Sequence, residues 1–319
     1  MSTSLGRHLN FWLGCAKLDQ RGCSHCIMFH NLRKWGKNPF VLTPGAEATW
    51  NAPANLNKPA FWNVCNSSDF FWEAADPYRA DAWEVMRASP RHTFHILTRR
   101  PERIAACLPP DFFNPQSAIR NPQFDHVLIG ISISTQTELA KAAPFLKAVP
   151  GPKFLAAAPL LGFLDLRTHF GGASPLPAPG APWAAGEGSG VRGGDSSPGT
   201  RHPALSFVVA QGELGPSASP THPIWLHHLR DQCRGLGIPF NFDGWGEWSP
   251  LLTHEAAGLE DIPNALLATD GAMQRSLHPA AIVDFIQRRA QDCPVTMLRR
   301  GADETGRALD GRVYQEYPP

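Results

Sequence analysis

Short runs of consecutive apolar residues alternate along this chain with segments in which apolar residues recur every three or four positions. The runs predict β-strands at residues 60–65, 93–98, 126–133, 153–157, 205–210 and 239–242. Several runs are apolar at successive positions, which is typical of strands buried on both faces of a parallel sheet. A further short strand is expected around residues 10–13, at the start of the chain.

The segments between these runs predict helices at residues 78–88, 101–107, 135–148, 223–236 and 279–289. Repeated strand–helix units indicate an α/β fold. Six or more such units, at the spacing of about 30 residues typical of βαβ units, favour a complete or partial (β/α) barrel of the TIM type over an open sheet. We therefore predict a single barrel domain over residues 1–319.

One segment interrupts the pattern. Residues 171–203 are dense in Gly, Pro, Ala and Ser, a composition that buries little and resists regular structure. We interpret this segment as a flexible insertion within the barrel domain, because long surface loops are tolerated at small cost in free energy.

Composition narrows the class of protein. With 319 residues and 43% hydrophobic content the chain can bury a sizeable core, and its net charge of +1 gives no global attraction to nucleic acid or membranes. We find neither a signal-peptide pattern nor an apolar run of membrane-spanning length. The expectation is a cytoplasmic protein in a reducing compartment, with no membrane partner.

The most informative chemistry lies near the start of the chain. Cys15, Cys23 and Cys26 form a C-x7-C-x2-C arrangement, and the next cysteine is Cys65. Three thiolates at this spacing can hold three irons of a [4Fe–4S] cluster and leave the fourth iron open to a substrate or to S-adenosylmethionine. Closed structural metal sites usually supply four protein ligands.

Other uses of the same cysteines stay open at this point. His25 or His30 could complete a Cys3His zinc site, and the three thiols could also be unrelated core residues. A disulfide is disfavoured by the odd total of seven cysteines and by the missing secretory signal.

Polar residues follow the strands at their carboxyl ends. In a barrel these ends share the face on which active sites are built, although each residue alone is also typical of an ordinary loop. The residues are Asn66, Ser67, Ser68 and Asp69; Thr98, Arg99 and Arg100; Ser132 and Ser134; Gln211 and Glu213; and Asp243 and Trp245.

The order of motifs resembles the phage Gp37/Gp68 family, a family of uncharacterised function, over nearly the whole chain outside the insertion. Besides the cysteine loop, the matching stretches are residues 66–71, 97–103 (Leu-Thr-Arg-Arg-Pro-Glu-Arg), 130–132, 159–166 (Pro-Leu-Leu-Gly-Phe-Leu-Asp-Leu), 211–215, 222–225, 229–233, 245–248 (Trp-Gly-Glu-Trp) and 306–312. Some of the chain's departures from the family pattern fall at strand ends or beside the cysteines. Ala158 stands where the family has Glu, Asp243 where it has Lys, and Ile27 where it has Tyr.

That family in turn looks like the radical S-adenosylmethionine enzymes, which place three cysteines after the first strand of a barrel. The resemblance implies that Cys15, Cys23 and Cys26 ligate a [4Fe–4S] cluster and that S-adenosylmethionine binds its open iron. It implies that His25 packs against the adenine. The candidate contacts to S-adenosylmethionine are Ser67, Asp69, Ser132 and Glu213, and the candidate catalytic or substrate contacts are Arg99, Arg100 and Asp243.

The resemblance also suggests a substrate and partners. Radical enzymes occur among phage genes for base modification, so we expect a rearrangement or C–H functionalisation of a modified base, such as a thymine amino-acid adduct in phage DNA. An electron donor such as flavodoxin or ferredoxin is implied, and so is the cytoplasm of a phage-infected host. The alternatives are a zinc-stabilised nucleic-acid-binding module without catalysis and, more weakly, a metal-dependent hydrolase.

Overall fold

The computed structural model describes residues 6–112, 124–171, 205–251, 264–274, 287–288, 291 and 293–316. The strands in these ranges are β1 (Arg7–Leu9), β2 (Trp12–Leu13), β3 (Thr43–Pro44), β4 (Phe61–Val64), β5 (Thr93–Thr98), β6 (Val127–Ile133), β7 (Lys153–Ala157), β8 (Phe207–Ala210), β9 (Phe240–Phe242), β10 (Trp248–Pro250), β11 (Asn264–Leu267), β12 (Met273–Gln274), β13 (Val295–Arg299), β14 (Ala308–Leu309) and β15 (Arg312–Val313).

The helices lie between the strands, and 3₁₀ turns at Glu73–Ala75 and Pro101–Arg103 precede two of them. Within the described ranges, none of the helices combines the length and apolar character needed to span a bilayer. The helices are α1 (Arg21–Ser24), α2 (Ile27–Lys34), α3 (Glu47–Trp50), α4 (Ala52–Asn55), α5 (Asp76–Arg87), α6 (Ile104–Cys107), α7 (Gln136–Ala148), α8 (Arg167–Phe170), α9 (Pro223–Leu236) and α10 (Ala302–Thr305).

Seven parallel strands form the central sheet, in the order β1-β4-β5-β6-β7-β8-β9. The strands of this sheet therefore lie side by side in the same order in which they follow one another along the chain. A doubly wound open sheet reverses its strand order at a switch point, whereas an unbroken order is the pattern of a barrel. The sheet curls into a half-barrel, so the expectation of a partial TIM-type barrel is confirmed at this level.

Alternate residues of each strand face opposite sides of the sheet. Ile129, Ile131 and Ile133 of β6 join the main core, which also contains buried residues of α7 and α9. Residues on the inner face form a second cluster, in which the rings of Phe154 and Phe207 stack with centroids 4.7 Å apart. The strands are therefore buried on both faces, as their continuous apolar runs predicted.

The boundaries follow the sequence pattern closely in the middle of the chain. Strands β5 and β7 and helix α9 begin and end at the predicted residues. Helix α9 starts with Pro223 after His222, whose Nδ1 accepts the N–H of Ile224, and ends before Gly237 at φ +66°. These are the signals expected at the two ends of a helix.

The expectation for the first strand was wrong. The strand that opens the parallel sheet is β1 at residues 7–9, whereas residues 12–13 form β2 and pair antiparallel with β3. The chain leaves the sheet because Trp12 turns into the main core and packs on Phe70, at 5.3 Å between ring centroids. The predicted helix at 279–289 and the insertion at 171–203 lie outside the described residues, apart from 287–288 and Gly171.

Two features after β9 were not predicted. Strands β10, β13, β11 and β12 form a separate antiparallel sheet. A terminal strap, defined here as residues 314–316, lies along β9: the N–H of Phe242 donates to the carbonyl of Tyr314 at 3.0 Å, and Asn241 Nδ2 donates to the carbonyl of Glu316 at 3.0 Å. The strap therefore occupies the edge of the parallel sheet next to β9.

Candidate functional site

A pocket opens at the carboxyl ends of the parallel strands and contains about 910 Å³ of empty space, counted out to its mouth. Cys15, Cys23 and Cys26 all line this cysteine pocket, and all three are half-buried free thiols. The strand-end residues in its wall include Asp69, Thr98, Arg99, Arg100, Ser132, Ala158, Gln211 and Glu213. The fold thus brings six residues with predicted site roles around the three thiols, namely His25, Asp69, Arg99, Arg100, Ser132 and Glu213.

Arg100 connects the cysteine segment to the end of β5. Its Nη1 donates to the Sγ of Cys15 at 3.5 Å, and its Nη2 donates to the carbonyl of Ala16 at 2.7 Å. The same guanidinium forms an ion pair with Asp69, at 3.1 Å between Nη1 and Oδ2. Both side chains of this pair are nearly completely buried. Arg100 therefore fixes where Cys15 stands relative to the strand ends.

Asp69 is saturated by partners within the protein. Its Oδ1 accepts the N–H of Phe71 at 2.9 Å and the hydroxyl of Thr98 at 2.8 Å, while Oδ2 accepts the N–H of Arg99 at 2.9 Å. With the Arg100 ion pair added, the carboxylate links the loop after β4 to the end of β5. This geometry makes Asp69 a positioning residue for the pocket wall.

Arg99 holds the other part of the cysteine segment. Its Nη1 reaches Gln20 Oε1 at 3.4 Å and Glu138 Oε2 at 3.3 Å. Its Nη2 donates to the hydroxyl of Ser134 at 3.1 Å and to the carbonyl of Ala158 at 2.8 Å. The guanidinium is therefore clamped between the segment before Cys23, the start of α7 and the end of β7.

Gly22 is required by this close approach. A Cβ at position 22 would overlap the guanidinium of Arg99 and the hydroxyl of Ser134. The sequence did not predict that the neighbours of Gly22 are Arg99 and Ser134. The signal available was a glycine directly before Cys23, in a segment that must bend closely around its neighbours.

Burial changes the acidity of the thiols. Desolvation raises the pKa of Cys15 to about 12, against an opposing effect of the Arg100 charge, and it also raises the pKa of Cys23. The pKa of Arg100 is raised: burial acts to lower it, but Asp69 and Cys15 outweigh that effect. Because metal binding needs thiolates, any metal that occupies this pocket has to displace these protons.

The opposite wall of the pocket carries an acid and a histidine. Glu213 is buried, and its Oε2 accepts the N–H of Ser219 at 2.7 Å and lies 3.5 Å from Nδ1 of His25. The His25 side chain is 43% exposed, so its ring stands at the pocket mouth. Ser132 directs its hydroxyl to the carbonyl of Ala158 at 2.9 Å.

Two predicted residues lie elsewhere. Ser67 lies beside the pocket wall, where its N–H donates to Asn10 Oδ1 at 3.0 Å and its carbonyl accepts the N–H of Gly14. Its neighbours Asn66 and Ser68 are the residues that line the pocket. Asp243 lines a second pocket, described next.

The second pocket lies on the inner face of the half-barrel and contains about 610 Å³ of empty space, counted in the same way. It shares Asn66, Leu97, Ala158 and Gln211 with the cysteine pocket, so the two adjoin. The remaining wall is Asn63, Val64, His95, Phe154, Ala156, Phe207, Val209 and Asp243. We refer to it as the inner pocket.

Two residues of the inner pocket were missed by the sequence analysis. Burial lowers the pKa of His95 to about 4, so its ring is uncharged at neutral pH. Asn63 is 7% exposed, and its Nδ2 has no hydrogen-bond partner among the described residues. The available signal was their alternation: polar side chains in strands β4 and β5, paired in register with each other, on the face opposite the main core.

The thiols do not form a site for a single ion. Among the described residues, no group of three His, Cys, Asp or Glu side chains is close enough to share one metal ion. Tetrahedral zinc needs sulfur atoms roughly 3.8 Å apart, given a Zn–S distance of about 2.3 Å. An iron–sulfur cluster instead takes each thiolate on a different iron, so its three thiolates need not converge on one metal ion.

The chain was compared with known proteins. A solved structure of a spore photoproduct lyase double mutant with bound AdoMet and dinucleoside spore photoproduct is similar to it at 12% identity and a TM-score of 0.36. The match covers 52% of this chain and about half, 49%, of that one, and its TM-score is too low to establish a common fold. No functionally curated protein matches the chain. The model of one protein family matches residues 5–318. The chain belongs to this family, whose description is "Protein of unknown function (DUF5131)".

Proposed function

We propose that this protein is a radical S-adenosylmethionine enzyme. One observation carries the proposal: three free cysteines in a C-x7-C-x2-C arrangement line a single pocket at the carboxyl ends of a parallel half-barrel. This is the face on which barrel enzymes build their active sites. Three protein thiolates leave one iron of a [4Fe–4S] cluster open, which is the feature that distinguishes a catalytic site from a closed structural one.

In this proposal Cys15, Cys23 and Cys26 hold the cluster, and S-adenosylmethionine occupies the rest of the cysteine pocket. When bound and reduced by one electron, the two cofactors would supply a 5′-deoxyadenosyl radical able to abstract hydrogen from an unactivated carbon. His25 stands at the pocket mouth, where its ring can pack against the adenine, and Glu213 beside it can accept hydrogen bonds from the cofactor.

The hydrogen-bond partners of the other predicted site residues decide the role that we assign to each. The guanidinium groups of Arg99 and Arg100 are engaged by the chain itself, so we assign both to positioning the cysteine segment rather than to binding phosphates. Asp69 belongs with them. Ser132 stands in the pocket wall and is retained as a cofactor contact, whereas Ser67 contributes through its backbone.

The inner pocket suggests the substrate. Stacked Phe154 and Phe207, the uncharged ring of His95 and the free amide nitrogen of Asn63 suit a planar, uncharged ring that offers a hydrogen-bond acceptor. Asp243 adds a carboxylate suited to a cationic amino group. A modified pyrimidine such as a thymine amino-acid adduct combines these groups, and the enzyme would rearrange it or functionalise a C–H bond. In DNA the base would have to leave the stack.

The proposal also includes the setting that the resemblance implies, namely phage DNA modification in the cytoplasm of an infected bacterium, with flavodoxin or ferredoxin as electron donor. Its support is the resemblance of the motif order to the phage Gp37/Gp68 family.

The test begins with the cofactor. The protein is purified without oxygen and reconstituted with iron and sulfide; iron and sulfide are then counted, and the EPR spectrum of the reduced protein is recorded with and without S-adenosylmethionine. We expect four irons per chain and a reduced-cluster signal that shifts when S-adenosylmethionine is added. Cys15→Ala, Cys23→Ala and Cys26→Ala should each lose the signal.

Cys107→Ala is the matched control, because Cys107 is also half-buried but lies outside the cysteine pocket. It should load iron like the wild type. A colourless protein that holds one zinc, or a Cys23→Ala variant that still binds four irons, would refute the proposal. The first result would favour the zinc-stabilised nucleic-acid-binding module.

A further inference from the structure

An exposed patch of cations and aromatic rings lies on the segment that follows the three cysteines. We define the basic aromatic patch as Arg33, Lys34, Trp35, Lys37 and Phe40, all of which are exposed. The side chains of Trp35 and Phe40 are 59% and 52% exposed. Tryptophan and phenylalanine side chains are usually buried in a core or an interface, so their exposure here is unusual. Residues 20–46 hold four Arg or Lys and no Asp or Glu, in a chain with a net charge of only +1.

The patch is connected to the thiols by packed side chains. The ring of Phe40 lies 5.0 Å from the ring of Phe29, which is buried and lines the cysteine pocket. Phe29 belongs to a small apolar cluster that packs against Cys15 and Cys26. The backbone adds a second link, because the N–H of Cys15 donates to the carbonyl of Pro39 at 2.9 Å. The patch is therefore the outer surface of the cysteine pocket wall.

The patch is separate from the places proposed for cofactor and substrate. None of its five residues lines the cysteine pocket or the inner pocket. Lys34 and Lys37 form no ion pair with described residues, and Arg33 lies over the ring of Phe40 at 6.0 Å. A surface of this kind suits a negatively charged macromolecule that needs to come close to the thiols without entering either pocket.

We propose that the basic aromatic patch docks an acidic one-electron carrier protein of the flavodoxin or ferredoxin type, an inference that rests on the proposed function. The carrier gives up one electron and is oxidised; the iron–sulfur centre gains that electron, and no bond is made or broken. Complementary charge steers the encounter, and exposed aromatic rings supply the desolvated centre of an interface. A nucleic acid would also meet cations and rings here, but its bases would lie outside both pockets.

The test compares two charge reversals of equal size. Lys34→Glu with Lys37→Glu alters the patch. Lys58→Glu with Arg91→Glu is the control, because both residues are exposed and precede β4 and β5, at the opposite end of the sheet. Two quantities are measured at low salt: the Kd for flavodoxin, by titration of the protein without its cofactors, and the rate of cluster reduction by reduced flavodoxin and by dithionite.

We expect the patch variant to have a higher Kd for flavodoxin than the wild type and to be reduced by flavodoxin about tenfold more slowly, or slower still. Salt screens the charge attraction in the wild type, so this difference should shrink as salt is added. Reduction by dithionite, which needs no docking, should change less than about twofold, and the control variant should behave like the wild type. Trp35→Ala, which removes the most exposed ring of the patch, should raise the Kd for flavodoxin without changing reduction by dithionite.

Equal Kd values for the patch and control variants would overturn the docking proposal. Competition by a single-stranded oligonucleotide that binds more tightly than flavodoxin, and loses that affinity in the patch variant, would overturn it in favour of nucleic acid. A protein that takes up no cluster refutes the proposed function instead, and the titration without cofactors still decides whether the patch binds the carrier.

Discussion

Replacing Arg100 by Met tests whether the cysteine segment depends on one buried cation. The substitution keeps an unbranched chain about as long as the aliphatic part of arginine but removes the bonds to Cys15 and Ala16 and the ion pair with Asp69. The Arg100 and Asp69 side chains are 3% and 6% exposed. Removing one partner of a buried ion pair costs about 3–5 kcal/mol, because the other charge is left behind without compensation.

The remaining partners of Asp69 set the expected value within that range. The N–H groups of Phe71 and Arg99 and the hydroxyl of Thr98 still donate to the carboxylate. We therefore expect a loss near the lower end, about 3 kcal/mol in the free energy of unfolding. Iodoacetamide should also alkylate Cys15 faster, because its segment is no longer held by the guanidinium.

Urea unfolding at pH 7 measures the loss, and an unchanged m-value shows that the unfolding transition is otherwise comparable. Arg103→Met is the matched control: Arg103 is 25% exposed and pairs with the half-exposed Asp76, so it should cost about 1 kcal/mol or less. The double variant Arg100→Met with Asp69→Asn leaves no unpaired charge. Its loss in the free energy of unfolding should therefore be smaller than the sum of the losses of the two single variants by at least about 1.5 kcal/mol. The reasoning is refuted if Arg100→Met loses less than about 1 kcal/mol, or if the two changes are additive.

Three further predictions concern packing and pH. Gly22→Ala should displace Arg99 and lower the free energy of unfolding by about 1–3 kcal/mol, whereas Gly162→Ala, which meets open space, should change it by less than about 0.5 kcal/mol in urea unfolding. Because burial lowers the pKa of His95 to about 4, protonation favours the unfolded state: the contribution of His95 to the free energy of unfolding should be constant above about pH 6.5 and fall by up to about 3 kcal/mol as the pH drops to 4, and His95→Leu should make this acid limb shallower in unfolding curves. Phe154→Ala should lose about 3–5 kcal/mol by the same assay and enlarge the inner pocket.

Each of these predictions has an outcome that contradicts it. Equal losses for the Gly22 and Gly162 variants would mean that the close approach of Arg99 is not rigid. An acid limb of unchanged depth in His95→Leu would assign the pH dependence to other groups. A loss below about 1 kcal/mol for Phe154→Ala would show that the inner face is loosely packed.

The framework of the fold could be predicted because its strands are buried on both faces. Their apolar runs stand out from the helical segments, and two strands and one helix were located to the residue. The first strand could not be placed, because three residues carry too little pattern and the apolar residues that follow it belong to the core instead. The antiparallel sheet after β9 was missed because its short strands pair across intervening chain, which local pattern does not report.

The candidate site was predictable in its residues but not in their contacts. Strand-end polar residues share one face in any parallel half-barrel, so their proximity to the cysteines follows from topology. Sequence could not show that the guanidinium groups of Arg99 and Arg100 are bound by other parts of the chain, because their partners lie between 27 and 85 residues away. Asn63 and His95 were missed because a polar residue within an apolar strand signals a pocket only when its facing neighbours are known.

The strap at residues 314–316 bears on how the protein can be handled. A bare edge of a parallel sheet presents unpaired N–H and C=O groups and invites pairing with another chain. Here the carbonyl of Tyr314 accepts the N–H of Phe242 and the side-chain carboxylate of Glu316 accepts the N–H of Phe240, so the last described residues shield this edge from pairing with another chain. A truncation before residue 314, or a fusion that pulls the strap away, should therefore first appear as loss of monomeric protein, before any change in the distant thiols.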